Sequence, residues 1–179
     1  MNIAKIGIAA SVLLFSIMAL APVSFGHGDV TPQAVDTTGL KPLGEEWLEE
    51  NPYTFEKAPD QMERAIEIGC SAYNSNCARC HGLGAVSGGL APDLRVLEED
   101  ADGDSWFIDR IRNGYHQNGV TKMPKFEGLM PQEAMWSIRA YTNIRPDDDD
   151  KAAVKGTGGN CQTLDFEMVK KIELSDDDE

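Results

Sequence analysis

Apolar residues recur three and four positions apart at Met62, Ala65, Ile66, Gly69 and Tyr73, which gives one apolar face and predicts a helix over residues 60–74. A second such run lies at residues 104–113, "DSWFIDRIRN". Asp104 is its predicted N-cap, Trp106, Phe107, Ile108 and Ile111 its inward face, and Gly114 its stop. A third runs over residues 131–144. There Pro131 occupies the first turn, where a missing N–H costs nothing, and Ala134, Met135, Ile138 and Tyr141 follow at helical spacing. Pro146 lies just past its end. No segment alternates with period two, so an all-α domain is expected over residues 61–145.

Either side of this block the periodicity disappears. Residues 27–60 carry Pro32, Pro42, Pro52 and Pro59 with Gly28, Gly39 and Gly44 between them. They read as an extended N-terminal arm with one helical turn at 44–50, "GEEWLEE", anchored by Trp47 and Tyr53. Residues 146–179 open with "PDDDDK", pass through "GTGGNC" and close with "SDDDE". They read as an acidic linker and tail, because such runs repel themselves and stay solvated.

Residues 1–26 are set apart by hydropathy. Lys5 gives a short positive start, residues 6–21 are almost unbroken apolar, and Ser24-Phe25-Gly26 offers small residues at the two positions a signal peptidase reads. The apolar run is short for a membrane span of about 20 residues. A cleaved secretory signal is expected, with export to the periplasm and a chain that starts at His27. No later stretch is apolar enough to span a membrane.

Charge narrows the partners. Thirty acidic residues against 16 basic give a formal net charge of −14. Nucleic acid is excluded, since phosphate binding needs a basic surface, and a basic protein partner fits instead.

The candidate chemistry sits at residues 76–82, "NCARCHG". Two cysteines three apart with a histidine behind match three sites. Structural zinc asks for a second such pair, and there is none. A thiol-exchange pair asks for a βαβ setting, which the pattern lacks. Covalent c-type haem attachment matches C-x-x-C-H. On a helical turn Cys77 and Cys80 each reach one vinyl group of the same porphyrin, and His81 projects toward the iron. The second axial ligand is open among His116, Met123, Met130, Met135 and Met168. Met135 lies on the apolar face of the third helix, Met130 just before it, and Met168 beyond the linker. His116 lies in a Gly/Asn-rich turn. Pro124 holds Met123 in extended backbone, free to reach from a loop.

The run from Gly69 to Tyr141 resembles a class I cytochrome c. The shared features are Gly69 and Tyr73 before C-x-x-C-H, Pro92 and Leu94 in "GLAPDL", "IRNG" at 111–114, Met123-Pro124-x-Phe126, and Ala140-Tyr141 in the last helix. That resemblance implies one covalent haem c held by Cys77, Cys80, His81 and Met123, a Pro92 carbonyl on the proximal histidine, and an electron carrier, not an enzyme. The stretches "HGDVTPQAVDTTGL", "NCARCHGL" and "QEAMW" are similar to the cytochrome c-550 group. This second resemblance implies a quinoprotein (PQQ-dependent) alcohol dehydrogenase as electron donor, with a downstream cytochrome or oxidase as acceptor. Its alternatives are a haem enzyme or ligand-binding sensor with a labile sixth ligand, and a module fixed to its dehydrogenase.

Other residues carry plainer readings. His27 is an exposed terminus before it is a copper ligand. "DADGDSW" is a helix-capping turn, since it lacks the calcium-loop order. Trp106 and Tyr115 either touch haem or pack in the core, and Arg112 either pairs with a haem carboxylate or is solvated. Of the four cysteines, Cys70 and Cys161 are left over. In an exported chain they favour a disulfide that pins the tail to the haem domain, against free thiols or an intermolecular bridge.

Overall fold

The computed structural model describes residues 31–145 together with Cys161 and Phe166. Residues 1–26, expected as a leader, and His27, Met168 and the acidic runs lie outside the described residues. Helix α1 (Met62–Asn76) leads directly into the short α2 (Ala78–His81) and a 3-10 turn at Leu83–Ala85. Helix α3 (Ala101–Asn113), strands β1 (Tyr115–Gln117) and β2 (Val120–Met123), and helix α4 (Gln132–Asn143) follow. Among the described residues no helix is long and apolar enough to cross a membrane.

The core is built on the crossing of α1 and α4. Their buried faces are Met62, Ala65, Ile66, Gly69 and Tyr73 against Ala134, Met135, Ile138 and Tyr141. The helices meet at Gly69, where a Cβ would stand 1.8 Å from the Ser137 carbonyl oxygen and 3.0 Å from Tyr141 Cβ. One turn on, the Tyr73 and Tyr141 rings pack with centroids 5.4 Å apart. Glycine is thus required here for close approach, its φ being ordinary. Gly69→Ala is expected to cost about 3 kcal/mol, the upper part of the overpacking range, because the obstacle is backbone. The thermal midpoint should fall by roughly 10 °C. An unchanged midpoint in a melt followed by circular dichroism would show that the helices have room to spare.

The structure corrects the all-α expectation. β1 and β2 form an antiparallel hairpin, with His116 opposite Thr121 and Gln117 opposite Val120. Its two-residue loop is Asn118-Gly119, both with positive φ (51° and 75°), the twist that hairpins favour. The strands are too short, and their residues too exposed, to show alternation.

Two further expectations shift. Helix α3 begins at Ala101, capped by Asp100, whose carboxylate accepts from Gly103 N at 2.8 Å. The "DADGDSW" stretch is therefore a capping turn, but Asp104 lies inside the helix. Its carboxylate accepts instead from Arg139 Nε at 2.8 Å and from the Asn51 N–H at 2.7 Å. A buried guanidinium thereby claims the aspartate that sequence assigned to the cap. The helical turn expected at 44–50 is absent. Gln132 Nε2 donates to the carbonyls of Gly44 and Glu46, both at 2.9 Å, and Glu133 accepts from Leu43 N at 2.7 Å. Gln132 thus meets the carbonyls of Gly44 and Glu46, which a helical turn would have satisfied internally.

The rest of the arm is stitched down as an extended strap. Tyr53 is buried, Trp47 packs against the core, and Gln33 N donates to Asn76 Oδ1 at 2.6 Å. Cys70 and Cys161 are joined in a disulfide with Cα atoms 5.7 Å apart, and Phe166 packs on the same core.

Candidate haem site

The junction of α1 and α2 shapes the site. Cys77 continues the helical path, its N–H donating to Tyr73 O at 2.7 Å. Its own carbonyl accepts from Cys80 N at 3.0 Å and His81 N at 2.9 Å. One tight turn therefore carries both cysteines and the histidine. Gly82, at φ 86°, ends it.

His81 is buried, and its Nδ1 lies 2.8 Å from the Pro92 carbonyl oxygen. A carbonyl only accepts, so the proton is assigned to Nδ1 and Nε2 keeps its lone pair. Such a partner orients a ligating histidine and fixes its tautomer. Burial lowers the His81 pKa below its ordinary value, opposed by the Pro92 bond and the Asp93 charge. The imidazole is neutral at pH 7, the form that binds iron.

The cysteines are set differently from a thiol-exchange pair. They are not bonded to each other. Burial, with the neighbouring Cys80 second, pushes the Cys77 thiol up to about 12. Thiol exchange needs a thiolate, which burial of Cys77 disfavours. Among the described residues no cluster of three or more His, Cys, Asp or Glu could hold a metal ion.

Cys77, Cys80 and His81 open onto a cavity of about 510 Å³, within the range of cofactor pockets. β2 and the loop after it contribute Met123, Pro124 and Phe126, α3 contributes Phe107 and Ile111, and the 90–94 loop contributes Leu90, Pro92 and Leu94. The lining is chiefly apolar, with two thiols and one imidazole nitrogen set in one wall. That donor set fits a covalently held haem.

The distal candidates separate by position. Met123 lines the cavity. Met130 and Met135 are buried in the core and do not line it. His116 is exposed on the hairpin, its Nδ1 3.1 Å from Thr121 Oγ1. Arg112 takes neither role considered for it: it pairs with Glu127 at 3.2 Å and stacks over the Trp47 ring at 4.1 Å.

Sequence reasoning missed Arg110 and Lys122, which line the cavity beside Trp106 and Tyr115. The Arg110 guanidinium lies 5.3 Å from the Trp106 ring centroid and 4.9 Å from that of Tyr115. The signal was available, since Phe107, Arg110 and Ile111 stand three and four apart on one helical face. Among the described residues of this acidic chain, no carboxylate lines the cavity.

Comparison with known proteins adds to the geometry. The family model for cytochrome c oxidase, cbb3-type, subunit III matches residues 64–141. Over 137 residues the chain is 51% identical to cytochrome c550 of Pseudomonas aeruginosa, covering 76% of this chain and 93% of that protein. It is 34% identical over 84 residues to quinohemoprotein alcohol dehydrogenase ADH-IIG of Pseudomonas putida, covering 47% of this chain but 11% of that protein. It is 29% identical over 96 residues to the cbb3-type cytochrome c oxidase subunit FixP of Rhizobium meliloti, covering 46% of this chain and 31% of that subunit. No solved structure matches.

Proposed function

The chain belongs to the cytochrome c family, as a monohaem electron carrier and not an enzyme, and we propose that it works in the periplasm, accepting electrons from a PQQ-dependent alcohol dehydrogenase and passing them to a downstream cytochrome or oxidase. One observation carries the assignment of residues: a single cavity is lined by Cys77, Cys80, His81 and Met123. In this reading Cys77 and Cys80 would hold the haem through thioether bonds. His81 Nε2 and the Met123 sulfur would hold its iron. The covalent haem c supplies a one-electron iron couple, and a Met/His pair raises its potential. The Pro92 carbonyl keeps His81 oriented. Arg110 and Lys122 would meet the haem carboxylates, and the apolar lining would keep water from the site.

The donor rests on two supports. The cytochrome-like segment shared with the quinohemoprotein dehydrogenase makes an alcohol dehydrogenase a natural source of electrons for a free carrier. The net charge of −14 suits long-range steering toward a partner with a basic face. The residues proposed as leader, 1–26, support an encounter outside the cytoplasm.

Stopped-flow reduction of the haem-loaded protein by a purified quinoprotein alcohol dehydrogenase tests the reading. The second-order rate should fall by roughly tenfold or more between low salt and the ~8 Å Debye length of 0.15 M. Neutralising Asp147–Asp150 should flatten that slope. A rate indifferent to salt removes the steering role, and no reduction by any such enzyme removes the donor.

A further inference from the structure

The loop that follows Met123 closes the end of α3. The last carbonyls of a helix have no partner inside it. Here Ile111 O accepts from Phe126 N at 3.0 Å and Arg112 O from Glu127 N at 3.3 Å. Arg112 repeats the attachment with its side chain, Nη2 donating to Glu127 Oε1 at 3.2 Å. The same guanidinium lies 4.1 Å from the centroid of the Trp47 ring, well inside the ~6 Å reach of a cation–ring contact. Trp47 is itself pinned. Gln132 Nε2 donates to Glu46 O at 2.9 Å and Gln132 Oε1 accepts from Leu48 N at 3.4 Å, so the residues on both sides of the indole are tied to α4. Met123, Ile111 and Phe126 line the cavity, whereas Trp47 stands outside it. Trp47 also lies outside residues 64–141, the span that the family model matches. One chain of contacts therefore runs from α4 through the arm and Arg112 to the loop behind Met123.

We propose that Trp47 is a positioning residue for the Met123 loop: stacked on Arg112, the N-terminal arm holds that loop at the cavity and so resists displacement of the Met123 sulfur by small ligands. The proposal rests on the reading of Met123 as a ligand of the iron. Swinging the loop out to release the sulfur works against the bonds at Phe126 and Glu127. The Arg112–Glu127 pair alone is a weak fastening, because ordering two long side chains in a half-exposed place costs rotamer entropy. Trp47 supplies that order from outside, since its ring restricts the guanidinium and covers part of it. The effect is mechanical and changes no charge at the cavity.

The test uses the full haem-loaded chain and two readouts. One is imidazole titration followed at the iron–sulfur band of the oxidised protein, and the other is hydrogen exchange at the Phe126 and Glu127 amides. In Trp47→Ala imidazole should bind roughly threefold or more tightly, the equivalent of one lost cation–ring contact, and protection of both amides should fall by a similar factor. Trp47→Phe keeps a ring face and should recover more than half of both changes. Gly69→Ala lowers general stability but leaves the contact intact, so it should move neither readout. Imidazole affinity or amide protection unchanged in Trp47→Ala, equal changes in Trp47→Ala and Trp47→Phe, or the same changes in Gly69→Ala would overturn the proposal. If Trp47→Ala does not accumulate with haem attached, Trp47→Leu takes its place, since it keeps apolar bulk and offers no ring. Tighter imidazole binding then supports the proposal and unchanged binding overturns it. Failure of the underlying ligand assignment is distinguishable, because the wild-type spectrum itself would then lack the iron–sulfur band.

Discussion

Replacing Met123 with alanine is expected to abolish the weak iron–sulfur band of the oxidised protein and to lower its midpoint potential. A drop on the order of 0.1 V or more is expected, within the ~0.8 V over which axial ligands act. Thioether ligation favours the ferrous state, and its loss removes that preference. Position argues for this residue over its rivals. Met123 ends β2, paired with Tyr115, and Pro124 directs the chain away at once. Beyond it, Phe126 N donates to Ile111 O at 3.0 Å and Glu127 N to Arg112 O at 3.3 Å. The loop is thus fastened to α3 on its far side and to the hairpin on its near side, which holds the side chain at the cavity. Met130→Ala should cost about 2–5 kcal/mol as a core truncation, with the band intact. His116→Ala should change neither band nor potential, since it removes only an exposed contact to Thr121. Loss of the band in His116→Ala with retention in Met123→Ala would make the iron bis-histidine and overturn the assignment.

The parts of the molecule legible in the sequence are those governed by local rules. The three main helices carry long apolar faces, so their existence was plain and only their ends moved by one to three residues. The tight turn of Cys77, Cys80 and His81 follows from spacing alone. What local rules missed was decided by partners distant in the chain. Asp104 looked like a cap because nothing nearby indicates that Arg139, on another helix, will bury against it. Residues 44–50 looked helical because Gln132, which satisfies this backbone instead, lies more than eighty positions away. The hairpin escaped because its stability is not written in burial. Its Asn-Gly turn was the one available signal, and it was read as a turn without strands. Arg110 was overlooked in favour of Arg112, two positions on. Yet Arg110 shares the face of Phe107 and Ile111, whereas Arg112 turns toward Trp47 on the arm.

The second large effect concerns Cys70 and Cys161. Replacing both with alanine in the haem-loaded chain is expected to lower stability by roughly 4–5 kcal/mol, the chain-entropy figure for a crosslink closing a loop of this length. The separation is 91 residues. For a chain of this size the thermal midpoint should fall by roughly 10–15 °C. The crosslink begins on α1 at a buried position, Cys70, one residue after the Gly69 crossing. It ends at Cys161, which packs on the core together with Phe166. The bridge therefore ties a C-terminal residue to the helix that carries Cys77 one residue past its end. The cavity lies at the far end of α1, so the spectrum and potential should be unchanged while stability falls. Stability and haem ligation are thereby separable in one variant, which distinguishes a staple from a part of the redox centre. Differential scanning calorimetry reads the first and an optical titration the second. Non-reducing peptide mapping of the wild-type protein should recover the two cysteine peptides joined. Recovery of both as free thiols, or an unshifted melting curve in the double variant, would leave the bridge without its stabilising role. A shifted potential in the double variant would show that the tail reaches the haem environment, contrary to the separation expected from Cys70's place seven residues before Cys77 on α1.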